Sequence, residues 1–200
     1  MLSIETVRVM FIVSLMYAAN GKRILQNNAA IQKTSRLAIV VLQADNKSSV
    51  TGTIELYQLP SKKGVLIKGV VRGLKPNSEH GMHIHEFGDL TNKCASLGDH
   101  YNPTGKSHGG PNDNIKHVSD LGNITANSRG ISTISIRINS FSLFDKFAVV
   151  GRSIVIHENR DDLGRGTAQT SKTNGNSGAR IGCGVIGIAN PTVTPVPKEA

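Results

Sequence analysis

Two hundred residues are enough for one domain with a sizeable core, or at most two small ones. With 21 glycines, no Trp and 4% aromatic residues, and with Val, Ile and Thr gathered in short runs between Gly, Pro, Asn and Asp, the composition favours an all-β fold over a helical or α/β one. The formal charge is +9, but no basic run exceeds two residues (Lys22-Arg23, Lys62-Lys63) and none is interleaved with aromatics; nucleic acid is a poor candidate, which leaves solubility, attraction of a small anion, or weak binding to extracellular polyanions.

The chain opens with Arg8 ahead of an apolar run from Val9 to Ala19, then small residues and a basic pair. That run is shorter than the roughly 20 residues of a membrane span and matches the apolar section of a secretory signal peptide. Residues 1–21 are therefore read as a signal peptide, and the protein as secreted and extracellular. Cleavage falls after Gly21, with Ala18 and Ala19 as other last residues; Glu5 weakens the basic leading segment and leaves an uncleaved anchor open. Residues 22–36 read as a polar linker, 37–190 as the folded domain and 191–200 as a proline-containing tail.

Strand-like runs then follow: LAIVVLQAD from Leu37, VTGTIELYQL from Val50, VLIKGVVRGL from Val65 and GMHIHEF from Gly81. A segment rich in Gly, Asn, Pro and His, from Gly88 to Asp120, has no useful period; loops that long in a compact domain usually carry function. Strands resume with LGNITA, GISTISIRI and RSIVIHE, a second irregular stretch spans Asn159 to Gly178, and ARIGCGVIGIA closes the pattern. Eight short strands with two long loops suggest a closed or two-sheet antiparallel architecture. The two cysteines, Cys94 and Cys183, suggest a disulfide if the protein is exported, with two buried free thiols as the alternative. The bridge would close a loop of about 90 residues, worth roughly 4–5 kcal/mol on the chain-entropy account. Asn46 and Asn123 head N-glycosylation sequons.

All seven histidines fall between positions 80 and 157. On a strand, side chains alternate faces, so His83 and His85 share one and His80 takes the other. His83, His85 and His157 come from strands and suit a nitrogen-rich copper site; His100, His108, His117 and Asp120 come from the long loop and can close a tetrahedral zinc site.

The segments GMHIHEFGD, HYNP, HGGP, HVSDLGN, GRSIVIHE, DDLGRG and GARIGCGVIGIA strongly resemble the copper/zinc superoxide dismutases, over Leu37 to Ala189. The resemblance implies an eight-stranded antiparallel Greek-key β-barrel, an immunoglobulin-like sandwich with two long functional loops, normally a homodimer. It implies copper on His83, His85, His100 and His157, and zinc on His100, His108, His117 and Asp120, with His100 bridging the two. Asp161 would orient one histidine of each site. Arg180 would guide superoxide to the copper, and Cys94 would pair with Cys183. The implied reaction converts two superoxide anions and two protons to dioxygen and hydrogen peroxide by Cu(II)/Cu(I) cycling, with His100 delivering a proton. His80 would be structural, bonding the backbone across the fold. Gln169, Thr170 and Asn174 depart from the family's loop, where acids and a channel threonine are common, while Lys172 remains nearby. A non-enzymatic module of the same fold would have lost copper ligands or carried a thiol-based copper domain, and this chain does neither. A metal-binding protein with a closed channel is separated from an enzyme only by assay.

Overall fold

The computed structural model describes residues 36–45, 47–59, 63–191 and 193–194, together with Met16 and Arg23. The signal peptide, the linker, Asn46 and most of the tail lie outside the described residues. Among the described residues nine strands follow in order: β1 (Arg36–Ala44), β2 (Thr51–Gln58), β3 (Val65–Arg72), β4 (Glu79–His85), β5 (Asp120–Thr125), β6 (Ser132–Ile138), β7 (Ser153–His157), β8 (Arg180–Val185) and β9 (Gly187–Ile188). Eight run side by side as β5-β4-β7-β8-β1-β2-β3-β6, all antiparallel, and β9 pairs separately with β1. The path's two ends, β5 and β6, touch, so the sheet almost closes into a barrel. β6 returns beside β3 and β7 beside β4, which are Greek-key crossings.

Period-two alternation builds the interior. In β1, Ala38, Val40 and Leu42 are buried, whereas Val41 between them is 62% exposed. They meet Ile54 and Leu56 of β2, Ile67 of β3, Met82 and Ile84 of β4, and Ile154 and Ile156 of β7 in one core. Burying each large aliphatic side chain contributes about 1.5–3 kcal/mol. A second, smaller apolar cluster forms on the outer face, where Leu37, Tyr57 and Leu66 stand opposite one another in adjacent strands with Leu59 and Ala189 beside them.

ARIGCGVIGIA, read as a single strand, divides into β8 and β9 around Ile186. β8 pairs with β7 and with the end of β1, while β9 pairs with the beginning of β1. Ile186 plugs the core at the crossing, donating its N–H to Arg152 O and accepting from Gly151 N.

Because Met82 and Ile84 point inward, His83 and His85 point outward from β4. They would face water but for the two long loops. The β4–β5 loop contains a 3-10 turn, Lys93–Leu97, and the β7–β8 loop contains one helical turn, Ser171–Asn174. Together these loops roof the outer face of β4 and β7.

Candidate metal centre

Under that roof lie six imidazoles and two carboxylates, none more than 5% exposed: His83, His85, His100, His108, His117, His157, Asp120 and Asp161. β4 supplies His83 and His85, and β7 ends on His157. Strand register puts Asp120, first in β5, opposite His83. A backbone bridge between His85 and His100 brings the loop in beside them.

Each imidazole's hydrogen bonds decide which nitrogen remains. His83 donates Nε2–H to Asp161 Oδ2 at 2.8 Å, and its buried Nδ1 has no partner. His85 donates Nδ1–H to Gly98 O at 2.9 Å, and His157 donates Nδ1–H to Gly178 O at 3.2 Å. Their Nε2 atoms, both left as acceptors, face each other at 3.4 Å. His100 Nε2 is likewise buried without a partner. A bare buried acceptor loses its hydration with no compensation, and two lone pairs directed at each other repel. His83, His85, His100 and His157 offer ligand atoms within 4.8 Å of one another, and a cation among those nitrogens resolves both penalties.

The second cluster centres on Asp120. Its Oδ2 accepts from Gly109 N at 3.0 Å and His117 N at 2.8 Å, which aims Oδ1 at the imidazoles. Oδ1 lies 2.9 Å from His108 Nδ1, 3.3 Å from His117 Nδ1 and 3.4 Å from His100 Nδ1, and the last two nitrogens are 3.4 Å apart. A tetrahedron of ligands at zinc-to-nitrogen distance has edges of about 3.3 Å, so the donor set and its spacing suit zinc. His83 also falls within 4.8 Å of His100, His108 and Asp120. Its Nε2 is committed to Asp161, however, and the close edges run to His117. His100 alone turns one nitrogen to each cluster.

Asp161 joins the clusters from outside, accepting from His83 Nε2 and from His108 Nε2, each at 2.8 Å, through its two oxygens. Gly175 makes room for it. A Cβ there would stand 1.9 Å from Asp161 Oδ1, and the backbone φ of +65° is one that glycine adopts freely.

Electrostatics differ between the two sides. Burial, then the neighbouring His100, push His83 and His85 well below the usual imidazole range, and burial takes His157 down to about 4. These nitrogens are neutral at pH 7 and available to a metal. Burial would also depress His108, but hydrogen bonds to Asp120 and Asp161 outweigh it and lift the imidazole to about 9. Against the opposing effect of burial, bonds from His100, His108 and His117 hold Asp120 far below the carboxylate range.

Cys94 and Cys183 are disulfide-bonded, tying the 3-10 turn to β8. Arg180 is half-buried beside them, donating to Cys94 O at 2.6 Å and Gly98 O at 2.5 Å, and its charge helps depress His85 and His157. A hollow above His100 and His117 is rimmed by Glu86, Asp99, Lys106 and Lys172, with Asn174 also on its wall. Lys172 directs Nζ to Gly164 O. No motif in the sequence marks Lys106 on this rim, nor Asp45, which accepts from Cys94 N at 3.2 Å. Lys106 lies in an aperiodic loop, where only its position between His100 and His108 hinted at it. His80 sits apart from both clusters, as the strand parity requires, with Nδ1 2.9 Å from His157 O. Asn123 is half-buried in β5.

Residues 50–186 match the family described as copper/zinc superoxide dismutase (SODC). Superoxide dismutase (Cu-Zn) 5 of Dictyostelium discoideum is 49% identical over 152 residues, 76% of this chain and 97% of that protein. An extracellular Cu-Zn superoxide dismutase of Onchocerca volvulus is 48% identical over 158 residues, covering 78% and 77%. A Cu-Zn superoxide dismutase of Humicola lutea is 45% identical over 152 residues, covering 76% and 98%.

Proposed function

The chain belongs to the copper/zinc superoxide dismutase family, and on that premise we propose a secreted homodimeric enzyme whose copper is held by His83, His85, His100 and His157 and whose zinc is held by His100, His108, His117 and Asp120. The observation that carries the ligand assignment is the pair of buried, partnerless nitrogens, His83 Nδ1 and His100 Nε2, directed into a group of neutral imidazoles. Copper supplies the one-electron exchange between Cu(II) and Cu(I), while zinc has no redox change of its own. The remaining work belongs to the protein. Arg180, anchored on two loop carbonyls, presents a permanent cation that orients superoxide. In the half of the cycle in which His100 Nε2 holds no metal, that nitrogen would carry the proton that the second superoxide receives, with water supplying the other, while Nδ1 keeps the imidazole on the Asp120 side. Across the cycle, two superoxide anions and two protons become dioxygen and hydrogen peroxide. Asp161 holds His83 and His108 in orientation from outside.

Export is supported by the apolar run Val9–Ala19 and by the extracellular relative; among the described residues no helix is long and apolar enough to cross a membrane. A second copy of the chain suits the shallow hollow lined by Phe87, Gly88, Val150 and Gly151, where Phe87 is 55% exposed. The net charge of +9 supports weak binding to extracellular polyanions.

The deciding experiment measures superoxide dismutation by the purified mature chain together with its metal content. Dismutation with one copper and one zinc per chain is expected; two bound metals without turnover would overturn the catalytic assignment. His157→Ala should lose copper and activity but retain zinc, and full activity in that variant would refute the copper ligands. Intact mass of the exported protein checks processing near Gly21, and retention of the whole chain inside cells counts against secretion.

A further inference from the structure

Asn123 heads a sequon, yet its side chain is already engaged. Nδ2 donates to Asp161 O at 2.9 Å, and Oδ1 accepts from Asp161 N at 2.7 Å. One amide thus answers both main-chain polar groups of a residue 38 positions away, as a paired strand would. Asp161 lies in the long β7–β8 loop, outside any strand, and its carboxylate bonds one imidazole from each cluster. Asn123 belongs to β5, the strand that begins with Asp120. β5 therefore bears on the site twice, through the Asp120 carboxylate and through the residue that grips the backbone of Asp161. A glycan on Nδ2 would replace one of the amide's two hydrogens at this half-buried junction.

We propose that Asn123 is a positioning residue, clamping the main chain of Asp161 so that its carboxylate sets the rings of His83 and His108, and that it is not a glycan acceptor. The proposal rests on the metal-ligand assignment above. It acts through orientation: a loop carboxylate free to swing would leave both rings without their outer hydrogen bond, and loss of such outer partners commonly weakens metal binding by about 10- to 100-fold. Asn123→Asp is the sharpest variant, because it keeps the shape and the acceptor but turns an oxygen toward Asp161 O in place of the donor.

The test compares Asn123→Ala, Asn123→Asp, Asp161→Asn and Thr125→Ala in the full mature chain. Thr125→Ala abolishes the sequon at an exposed position and leaves the clamp intact. Three properties are read: the rate of zinc loss to a chelator, the Cu(II) electron paramagnetic resonance spectrum, and the unfolding midpoint of the metal-free chain. Both Asn123 variants should lose zinc about tenfold faster or more and show a changed copper spectrum, with Thr125→Ala indistinguishable from wild type. Asn123 variants that only lower the metal-free midpoint, with wild-type spectrum and zinc retention, would reduce Asn123 to a structural role and overturn the clamp. A glycan found on Asn123 of folded, metal-loaded protein would also overturn it. Unchanged zinc retention and spectrum in Asp161→Asn would refute the role of Asp161 itself, a result distinct from failure of the clamp alone.

Discussion

His80 and His83 stand three positions apart on one strand and do different work. His80 faces the interior side of β4, with Nε2 2.8 Å from Ser78 Oγ and Nδ1 2.9 Å from His157 O. His80→Ala should therefore cost roughly 1–3 kcal/mol in denaturant unfolding, from a buried partner left unsatisfied, with copper and zinc content unchanged; lost copper would make it a ligand after all. The outward imidazoles predict a pH profile for the metal-free, disulfide-intact chain. His157, down at about 4 in the fold, contributes stability above the unfolded value of about 6.5 that is lost as pH falls toward 4, and His83 and His85 act in the same direction. The His157 contribution is about 3 kcal/mol at most. His108, lifted to about 9, contributes stability below about 6.5 that is lost as pH rises through 9. Stability should peak near neutrality and fall on both sides, and denaturant titrations from pH 4 to 9 that rise or fall monotonically would contradict it. Strand parity was enough to separate His80 from the His83–His85 pair. It could not reveal that His100 lies between two clusters, since that depends on where a loop with no period returns.

At the scale of elements, alternation located the strands well because one face of each is buried in a common core. The division of β8 from β9 was hidden because Val185, Ile186 and Ile188 continue the apolar run while the hydrogen-bond partner changes. The short turns Lys93–Leu97 and Ser171–Asn174 gave no periodic signal either, being too brief to form an apolar face. Their positions come from tertiary anchors, and the strongest is covalent. The disulfide fixes the first turn to β8, and the same turn provides the Cys94 carbonyl that holds Arg180. The double change Cys94→Ser with Cys183→Ser should lower stability by roughly 2–5 kcal/mol. It should also reduce dismutation in chains that remain folded and metal-loaded, because Arg180 loses a fixed carbonyl. Full activity per bound copper in the reduced-stability variant would disconnect the bridge from the site.

At the scale of the whole molecule, the proposed function makes charge the control on arrival of superoxide. The net charge of +9 attracts an anion from a distance, but Glu86 and Asp99 share the rim of the hollow with Lys106 and Lys172. Near and distant charges can be separated by salt, since the screening length falls from about 30 Å at 0.01 M to about 8 Å at 0.15 M. Over that range the long-range contribution fades, while Arg180, close to the copper-side imidazoles, continues to act. The second-order rate constant for superoxide should therefore fall as salt is added, then level off above zero. Arg180→Gln should lower the rate at every ionic strength, because it removes the permanent cation whose charge reaches His85 and His157. Lys106→Gln should chiefly flatten the salt dependence, because it removes a charge from the rim. Pulse-radiolysis rates for the three proteins across this range test the division. A rate that rises with salt would mean that Glu86 and Asp99 control the approach, and that the positive surface serves something other than substrate capture.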